Sequence, residues 1–279
     1  MNDNLFLFND FIIELSENES PGHLDQIEIF YEDTEKLFDS LTDVITGSQL
    51  AMTYASVRQK GKILNVAGEP EGYLLQWPDN RCGLSSIVRS ESAGMHNSVI
   101  AVFPFVNEGV RFFGRLRETR LFANRLEAQL VVDFGEEEEL ALTFYDVHYL
   151  SNRSIYRKNG RYDFVLRGLA YFIENSASVN CGESVEGALF PREDLGFDHY
   201  EIQGLIKKIE IIDAELYGQK AQKIWQIRLA FAVFPSGEDV ELDIFVSEKV
   251  MKKSCALKTG ENIQAVIWLQ GHLWGVSEE

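Results

Sequence analysis

The sequence contains one pattern twice, and this internal repeat constrains the fold more than any other feature. The copies lie about 100 residues apart, and each runs from a short strand-like segment through two apolar runs joined by a polar turn. A Lys-x-Gly turn then leads into a final apolar run that contains a glycine. The copies comprise residues 112–116, 125–134, 140–144 and 164–171, and residues 202–206, 225–234, 240–244 and 267–274. A supersecondary unit used twice sets the architecture before any single residue is considered.

Alternation within each copy predicts antiparallel strands with one buried face. Apolar residues recur at every second position, which is the period of a half-buried strand. The alternating positions are Leu126, Ala128, Leu130, Val132 and Phe134, and Ile227, Leu229, Phe231 and Val233. Curling such a sheet into a small barrel removes its edges and buries the apolar face. Lone glycines at positions 114, 168, 204 and 271 suit the sharp bends of barrel strands.

The order of these elements resembles an OB-fold barrel. The resemblance rests on the glycine in the first strand, and on Lys-x-Gly followed by an apolar strand with its own glycine, over residues 109–174 and 199–276. It implies two OB-like β-barrels, a fold that binds oligonucleotides and other ligands. Neither copy marks the expected fifth strand, or a helix between its third and fourth strands, so some other small β-barrel or a sandwich stays an alternative. Residues 266–271 also resemble the last part of small uncharacterised bacterial proteins, a likeness that implies no activity.

The first 108 residues have a different character and predict an acidic α+β region. Helical spacing of apolar residues predicts one amphipathic helix over residues 23–45. Strands are predicted at residues 4–15, 51–57, 62–66, 73–77 and 99–106. The expected organisation is an N-terminal region (1–108), a first repeat (109–174), a linker or long loop (175–198) and a second repeat (199–279). The second repeat carries an insertion over residues 213–223, expected in a surface loop.

The net charge of the chain limits the classes of molecule that the protein is expected to bind. The net charge is −18, and residues 1–50 contain twelve acids and one base, Lys36. Such a chain repels phosphate backbones and attracts basic surfaces, so nucleic-acid binding is disfavoured. The predicted helix therefore offers a docking face for a basic protein, although its acids also suit a simple solvated surface. The partner-binding candidates are Asp25, Glu28, Glu32, Asp39 and Asp43.

Basic and aromatic residues share strands in the first repeat and give a second hypothesis. The ligand-binding candidates are Arg117, Arg125, Tyr162, Arg167 and Tyr171. An OB-like groove binds single strands by stacking bases on aromatic rings and following phosphates with arginine. The alternative is that the aromatic residues are core and the arginine stems cover apolar surface. This alternative is favoured, because the field of the whole protein opposes a polyanion.

Other residue patterns predict neither a metal nor a cofactor. Cys82, Cys181 and Cys255 are odd in number and widely spaced, which favours reduced thiols over zinc ligands or disulfides. The acidic run 136–139 lacks calcium-loop spacing, and it suits a solvated turn. Asp146 and His148 face one side of a strand, but no second histidine or cysteine lies at ligand spacing. Three tryptophans in the second repeat (225, 268 and 274) are expected in the core rather than at an interface.

The sequence supports a binding role better than catalysis. It contains none of the common nucleotide-binding, serine-hydrolase or zinc-protease motifs. It also has no apolar stretch of about 18 residues and no signal-peptide pattern, so a cytoplasmic protein is expected. The first hypothesis is a non-catalytic interaction protein with an acidic surface, acting as an accessory or inhibitory subunit. The alternative is an oligonucleotide- or small-ligand-binding module, and an enzyme with a site between domains is the third reading.

Overall fold

The computed structural model of the protein is mainly β, with 57% of the described residues in strands and 15% in helices. It describes residues 11–19, 22–58, 70–77, 81–90, 97–135, 140–176, 187–216, 222–252 and 256–276. The helices are α1 (Leu24–Glu28), α2 (Thr34–Asp39), α3 (Leu41–Gly47), α4 (Tyr54–Arg58), α5 (Tyr149–Asn152) and α6 (Glu248–Met251). The strands are β1 (Ile12–Glu14), β2 (Gln49–Leu50), β3 (Gly72–Trp77), β4 (Cys82–Ser90), β5 (Asn97–Val106), β6 (Val110–Leu121), β7 (Ala128–Phe134), β8 (Leu140–Asp146), β9 (Arg161–Asn175), β10 (Ala188–Pro191), β11 (His199–Ala214), β12 (Gln222–Val233), β13 (Asp239–Ser247) and β14 (Asn262–Val276).

The two sequence repeats have the same order of elements. The first copy is β6-β7-β8-α5-β9 and the second is β11-β12-β13-α6-β14. In each copy three antiparallel strands are followed by a one-turn helix and by a fourth strand that pairs with the first. The structure thus contains a short helix between the third and fourth strands, which the sequence did not mark. One turn of helix is too short to produce a visible helical period.

Strands of both copies belong to one ten-stranded mixed sheet. Its order is β1-β6-β7-β8-β14-β9-β13-β12-β11-β10, with additional pairings β6–β9 and β11–β14. These pairings close two five-stranded rings, β6-β7-β8-β14-β9 and β11-β12-β13-β9-β14. Each ring takes four strands from its own copy and one from the other copy, so β9 and β14 belong to both rings.

Strand length makes this sharing feasible. β9 and β14 have 15 residues each, which corresponds to about 50 Å of extended chain. The two strands pair with each other in antiparallel orientation along their length. In addition, β9 pairs in parallel with β13, and β14 pairs in parallel with β8. At the centre of the ladder Arg167 pairs directly with Gln270. These two residues hold equivalent places in the copies, because each precedes the strand glycine, Gly168 or Gly271.

Close packing explains why glycine occupies some of these strand positions. A Cβ on Gly271 would lie 2.6 Å from side-chain atoms of both Phe144 and Leu166. A Cβ on Gly204 would collide with the carbonyl oxygen of Ala230 on the neighbouring strand. Glycine is therefore needed at both positions for close approach of another strand.

Two hydrophobic cores hold the molecule together. The first contains inward residues of both repeats, from Leu130 and Phe164 to Ile227 and Ile267. The second joins the N-terminal elements to the repeats, and includes Phe103 of β5 together with Tyr145 and Trp268. A separate antiparallel sheet, β2-β3-β4-β5, belongs to the N-terminal region. The predicted domain boundaries stay a prediction, although β10 lies inside the predicted linker and pairs with β11.

The predicted helix over residues 23–45 is wrong as a single element, because the structure has α1, α2 and α3 there. Between α1 and α2 the chain turns inward and buries Phe30 and Tyr31. The Asp33 side chain then accepts a hydrogen bond of 2.9 Å from Lys36 N, which starts α2. Such a side-chain cap competes with helix continuation. The apolar spacing therefore predicts helical structure correctly, but it does not mark the inward turn and the Asp33 cap that interrupt the segment.

Strand predictions in the N-terminal region had mixed outcomes. The strands predicted at 73–77 and 99–106 are confirmed as β3 and β5, whereas residues 51–57 do not form a strand. Reciprocal bonds between Thr53 and Ser56 (2.8 and 3.1 Å) start α4 instead. β4 was missed because its first seven residues are all buried, which removes the alternation. The prediction at 62–66 lies outside the described residues, as do residues 4–10 of the strand predicted at 4–15, of which β1 is part.

In the first repeat, the run at 125–134 becomes a strand only from Ala128, because Arg125 has a φ of 60° in the preceding turn. The apolar runs at 164–171 and 267–274 are confirmed within β9 and β14. Part of the insertion in the second repeat lengthens the β11–β12 pair, where Ala214 lies opposite Gln222.

Candidate functional site

The short helix α1 separates two pockets, and histidine–carboxylate pairs lie beside both of them. Gln26 and Ile27 of α1 are buried, whereas Leu24, Asp25 and Glu28 are exposed. We call the pocket beside Asp25 and Glu28 the acidic pocket, and the one beside Leu24 and Ile27 the apolar pocket. A hydrogen bond holds the C-terminal end of α1, since the Ser247 hydroxyl donates to Ile29 O at 2.6 Å.

The acidic pocket has a volume of about 400 Å³. Asp25, Gln26 and Glu28 line one side of it, and Tyr171 of β9 and His199 of β11 line the other. Leu195, Ile29 and Val250 supply apolar wall. A basic residue, Lys249, also lines the pocket, but its ammonium donates to the carbonyl oxygens of Glu28 (2.7 Å) and Tyr31 (3.4 Å). Lys249 therefore binds carbonyl oxygens at the C-terminal end of α1, where a cation is favoured.

A buried polar network lies at the base of the acidic pocket. The Tyr171 hydroxyl is 2.9 Å from His199 Nε2, and Gln26 Nε2 is 3.4 Å from the same nitrogen. On the other side of the ring, His199 Nδ1 is 3.0 Å from Asp198 Oδ1. Asp198 also accepts a hydrogen bond of 2.8 Å from the indole N–H of Trp268. The pKa of Tyr171 is raised, by burial first and then by the nearby carboxylates of Asp198 and Asp25. The tyrosine therefore acts as a neutral hydroxyl.

The apolar pocket lies on the opposite side of α1 and has a volume of about 470 Å³. Its walls come from α1, α2 and β5, including Ile27, Phe38 and Val102. His23, Asn124 and Glu127 contribute its polar lining. His23 Nε2 lies 2.5 Å from Glu127 Oε1, and both side chains are about 95% buried or more (5% and 3% exposed). This pair therefore forms a buried part of the pocket lining.

Glu127 is fully satisfied as an ionised carboxylate. Besides the His23 contact, it accepts hydrogen bonds from the Tyr145 hydroxyl (2.7 Å) and from Asn124 Nδ2 (2.5 Å). Burial by itself raises the pKa of Glu127, but the charge of His23 and these hydrogen bonds lower it below its ordinary value. The His23 ring is held by aromatic neighbours, with centroids 4.9 Å from Tyr145 and 5.4 Å from Trp268. Trp268 thus contacts the histidine of one pair and the carboxylate of the other.

A third group of titratable side chains is enclosed between β8, β9 and β14. We call Asp146, His148, Arg167 and His272 the enclosed cluster; each is at most 7% exposed, and Arg167 is fully buried. Arg167 Nη1 lies 2.6 Å from His272 Nδ1, and the His148 and His272 rings are 4.9 Å apart. Arg167 Nε and Nη2 have no hydrogen-bond partner among the described residues.

Burial dominates the electrostatics of the enclosed cluster. It raises the pKa of Asp146 to about 7, although hydrogen bonds from Tyr156 and His148 N and the charge of Arg167 act in the other direction. Burial, assisted by Arg167, lowers the pKa of His148 to about 3 and that of His272 well below its ordinary value. It also lowers the pKa of Arg167 to about 9. Neither pocket is lined by these four side chains.

The five ligand-binding candidates of the first repeat do not share one face. Tyr162 and Arg167 are buried, while Arg117 is 3.1 Å from Asp133 and Arg125 is 2.6 Å from Glu14. Tyr171 alone lines a pocket, the acidic one. The five acidic candidates are all exposed, and of these Asp25 and Glu28 line that same pocket. The structure therefore brings together residues that the sequence assigned to two different functions.

The remaining sequence candidates are distributed between core and surface. Trp268 is buried, Trp225 is half-buried and Trp274 is 55% exposed with Arg111 over its ring at 5.3 Å. Asp146 and His148 interact through the His148 backbone N–H (3.0 Å) rather than through the ring. Cys82 is free and buried, and burial raises its pKa to about 11. The acidic run 136–139, Cys181 and Cys255 lie outside the described residues.

Two negative findings apply to the described residues. No group of three or more His, Cys, Asp or Glu side chains in this part of the chain is placed to hold a metal ion. No helix there is both long enough and apolar enough to span a membrane.

The histidine–carboxylate pairs were not found by sequence reasoning. His23 and Glu127 are 104 positions apart, and the second pair, Asp198 and His199, contacts Gln26 of α1 across 173 positions. No spacing rule links residues at such separations. The adjacent Asp198-His199 dipeptide was the one local signal.

No known family model matches the chain, and no curated protein matches it significantly. The similar solved structures include the cytoplasmic molybdate-binding protein ModG in a form with molybdate bound. The TM-score is 0.32 and the identity 18%, and the match covers 62% of this chain and 99% of that chain. A similarity of this size carries no argument about the ligand of this protein.

Proposed function

We propose that the protein is a non-catalytic binding protein for a partner with a basic surface, and that a lysine or arginine side chain of this partner enters the acidic pocket. One observation carries the proposal: a concave site of about 400 Å³ contains Asp25 and Glu28 together with Tyr171. Carboxylates at the rim of a pocket attract a cation and steer its approach. The expected role is that of an accessory or inhibitory subunit.

The two carboxylates are free to receive a cation. Neither Asp25 nor Glu28 forms an ion pair within the part of the chain that the structure describes. The ammonium of Lys249 donates to backbone carbonyl oxygens and forms no ion pair with either carboxylate, so the pocket holds two carboxylates and one ammonium and keeps a net negative charge. The apolar wall formed by Ile29, Leu195 and Val250 suits the aliphatic stem of a long basic side chain. Such a site accommodates both the aliphatic stem and the charged group of a lysine or arginine side chain.

The two rings of strands support a finer description of the fold as part of this proposal. Each ring has five strands, the number in an OB barrel. We therefore describe the repeats as two OB-like barrels that share their two long strands, β9 and β14. The acidic pocket lies where β9 and β11 of the second ring meet α1.

Fluorescence anisotropy with a labelled lysine–glycine peptide tests the proposal, with a glutamate–glycine peptide and a single-stranded oligonucleotide as competing probes. We expect salt-sensitive binding of the basic peptide alone. The double variant Asp25→Asn/Glu28→Gln should weaken it about five- to tenfold, because two exposed charge pairs contribute up to about 1 kcal/mol or slightly more.

The matched control is Asp39→Asn/Asp43→Asn, which removes the same charge from exposed positions outside the pocket. Equal weakening by both double variants would contradict a pocket-specific site and leave only general acidity. Binding of the oligonucleotide in place of the basic peptide would overturn the proposal in favour of the arginines of the first repeat, and the variant Arg117→Glu/Arg125→Glu would then test them.

A further inference from the structure

We infer that the edge of β5 that faces away from β4 is a docking site for an extended peptide segment with a large apolar side chain. The apolar pocket is lined by four consecutive residues of β5, 99–102. Successive side chains of a strand point to opposite faces of its sheet. A pocket that contacts four residues in succession therefore lies against the edge of the strand, where backbone groups point outward. This edge is separate from the acidic pocket, which lies on the other side of α1.

Among the described residues, β5 is the one long strand at the end of a sheet. In the order β2-β3-β4-β5 it pairs only with β4. It has ten residues, whereas the other terminal strands, β1, β2 and β10, have three, two and four. Edge strands commonly avoid further pairing by being short or by carrying charged residues or proline. Residues 97–102 contain neither a charged residue nor a proline, so this part of β5 remains open to pairing.

The register of the sheet shows which backbone groups of β5 point outward. Ser90 of β4 donates its N–H to Glu71 O at 3.0 Å, on the β3 side. Val88, two residues earlier, has the same orientation, because alternate residues of an antiparallel strand turn their N–H and C=O groups to the same side. Asn97 and Val99 lie opposite Ser90 and Val88, so their backbone groups point away from β4. These two residues offer two donors and two acceptors, and no described segment forms a backbone hydrogen bond with them on this edge.

The other half of the same edge is closed by the protein itself. Pro104 has no N–H, and its carbonyl oxygen accepts a hydrogen bond of 2.7 Å from Gln270 Nε2. Asn97 and Val99, in contrast, are exposed. The open part of the edge is thus confined to the half of β5 that begins at Asn97 and borders the apolar pocket.

The opposite wall of the pocket indicates what pairs with this edge. α1 and α2 contribute Leu24, Ile27 and Phe38, so helices bound the space of about 470 Å³ beside β5. This space suits one added strand, whereas a second copy of the chain would bring its own β4 and helices against α1. Main-chain hydrogen bonds of an added strand supply affinity, and a pocket for one of its side chains supplies specificity. Leu24 and Phe38 are 48% and 43% exposed, and they would cover an apolar side chain of the peptide.

Isothermal titration calorimetry with an uncharged, blocked peptide of alternating leucine and threonine tests the pairing. Alternation places the leucine side chains on one face of the peptide and alternate N–H groups on one edge. We expect N-methylation of one residue type to weaken binding about tenfold or more, and methylation of the other type to have little effect, because only one set of N–H groups faces β5. No binding of the parent peptide at about 1 mM, or equal binding of all three peptides, would overturn the inference.

Substitution of Val99 tests the location. Val99→Pro removes the outward N–H without removing a hydrogen bond to β4, so the variant should fold, as circular dichroism checks, and bind the peptide about tenfold more weakly. Val99→Thr keeps the N–H and is the matched control. Unchanged binding by folded Val99→Pro would overturn the site. A dimer of the unmodified protein that Val99→Pro dissociates, measured by analytical ultracentrifugation, would replace the peptide by a second copy.

Hydrogen exchange of the unmodified protein supplies a test that does not depend on the folding of a variant. The amides of Asn97 and Val99 should exchange rapidly in the free protein and become protected when the peptide is added. The amide of Ser98, which pairs with Arg89 of β4, should be protected in both states. Protection of Asn97 and Val99 before the peptide is added, or no change on its addition, would overturn the inference.

Discussion

The pairs beside α1 and the enclosed cluster contain the same kinds of side chain in different surroundings. His23–Glu127 and His199–Asp198 each line or adjoin a pocket, and Glu127 accepts from three donors. Asp146, His148, Arg167 and His272 have no such opening, and two nitrogen atoms of Arg167 have no partner among the described residues. Burial and titratable groups therefore do not identify a site by themselves. Access to a pocket separates a candidate site from a polar core, whereas unpartnered buried nitrogens occur in both regions, at His23 Nδ1 and at Arg167.

The largest effect is expected from removing the carboxylate of the satisfied pair. Glu127→Ala leaves the donors of His23, Tyr145 and Asn124 unpaired in the core, and should cost about 3–5 kcal/mol of the free energy of unfolding. Urea denaturation measures this loss. Glu14→Ala is the control, because Glu14 pairs with Arg125 at 2.6 Å but both are well exposed, so its loss should cost about 1 kcal/mol or less. Similar losses for the two variants would remove the distinction between a buried satisfied carboxylate and a surface pair.

The fold was predictable from the sequence where the pattern of residues lies within one strand or helix. Alternation of apolar residues identified the strands of both repeats, because one face of each strand is buried. β4 lacks this alternation, and the inward turn at Phe30 and Tyr31 and the side-chain cap at Asp33 interrupt a segment with helical spacing. Sharing of β9 and β14 by the two rings depends on pairings across about 100 residues, for which the sequence has no pattern.

The candidate site was predictable only in pieces. Asp25, Glu28 and Tyr171 were named from their charge and residue type, but for two separate functions. His23 and Glu127 were not named, because a lone histidine and a lone glutamate 104 positions apart carry no spacing signal. Arg167 was predicted on a binding face, and this prediction depended on which side of β9 faces solvent. Its complete burial in the structure reflects N-terminal elements that cover this face of β9, where Leu169, two residues further on, packs in the second core with Phe103.

An intermediate effect is expected from the pH dependence of the enclosed cluster. Burial raises the pKa of Asp146 to about 7, whereas an aspartate in the unfolded chain has a pKa of about 3.9. Between these values the native state holds a proton that the unfolded state has lost, so the contribution of Asp146 to stability falls as pH rises and is lost above about pH 7. Asp146→Asn cannot titrate, so the stability of this variant should rise relative to the unmodified protein across this window.

Urea denaturation at several pH values measures that difference. The lowered pKa values of His148 and His272 act in the opposite direction, because stability gained from a neutral buried histidine is lost as pH falls. Both histidines are present in the two proteins, so their effects largely cancel in the difference. Asp163→Asn, a partly exposed carboxylate of β9 beside Arg111, controls for loss of any negative charge. A difference that does not change with pH for Asp146→Asn would show that this carboxyl is ionised throughout.

The smallest effect is expected from Arg167→Met, and this variant tests the comparison most directly. Methionine keeps an aliphatic stem and removes a buried charge that has two unpartnered nitrogens. The substitution also removes the one contact between Arg167 and His272. Replacing an incompletely paired buried ion by an apolar side chain is commonly close to neutral, so a change of about 1 kcal/mol or less in the free energy of unfolding is expected below pH 7.

Above about pH 7 the cost of Arg167→Met should grow, since Asp146 then ionises without the compensating charge of Arg167. Adding Asp146→Asn should abolish that growth, which a double-mutant cycle by urea denaturation measures. A loss of several kcal/mol at pH 6 would mean that the unpartnered nitrogens of Arg167 are satisfied in solution. The enclosed cluster would then resemble the Glu127 network in the completeness of its hydrogen bonds.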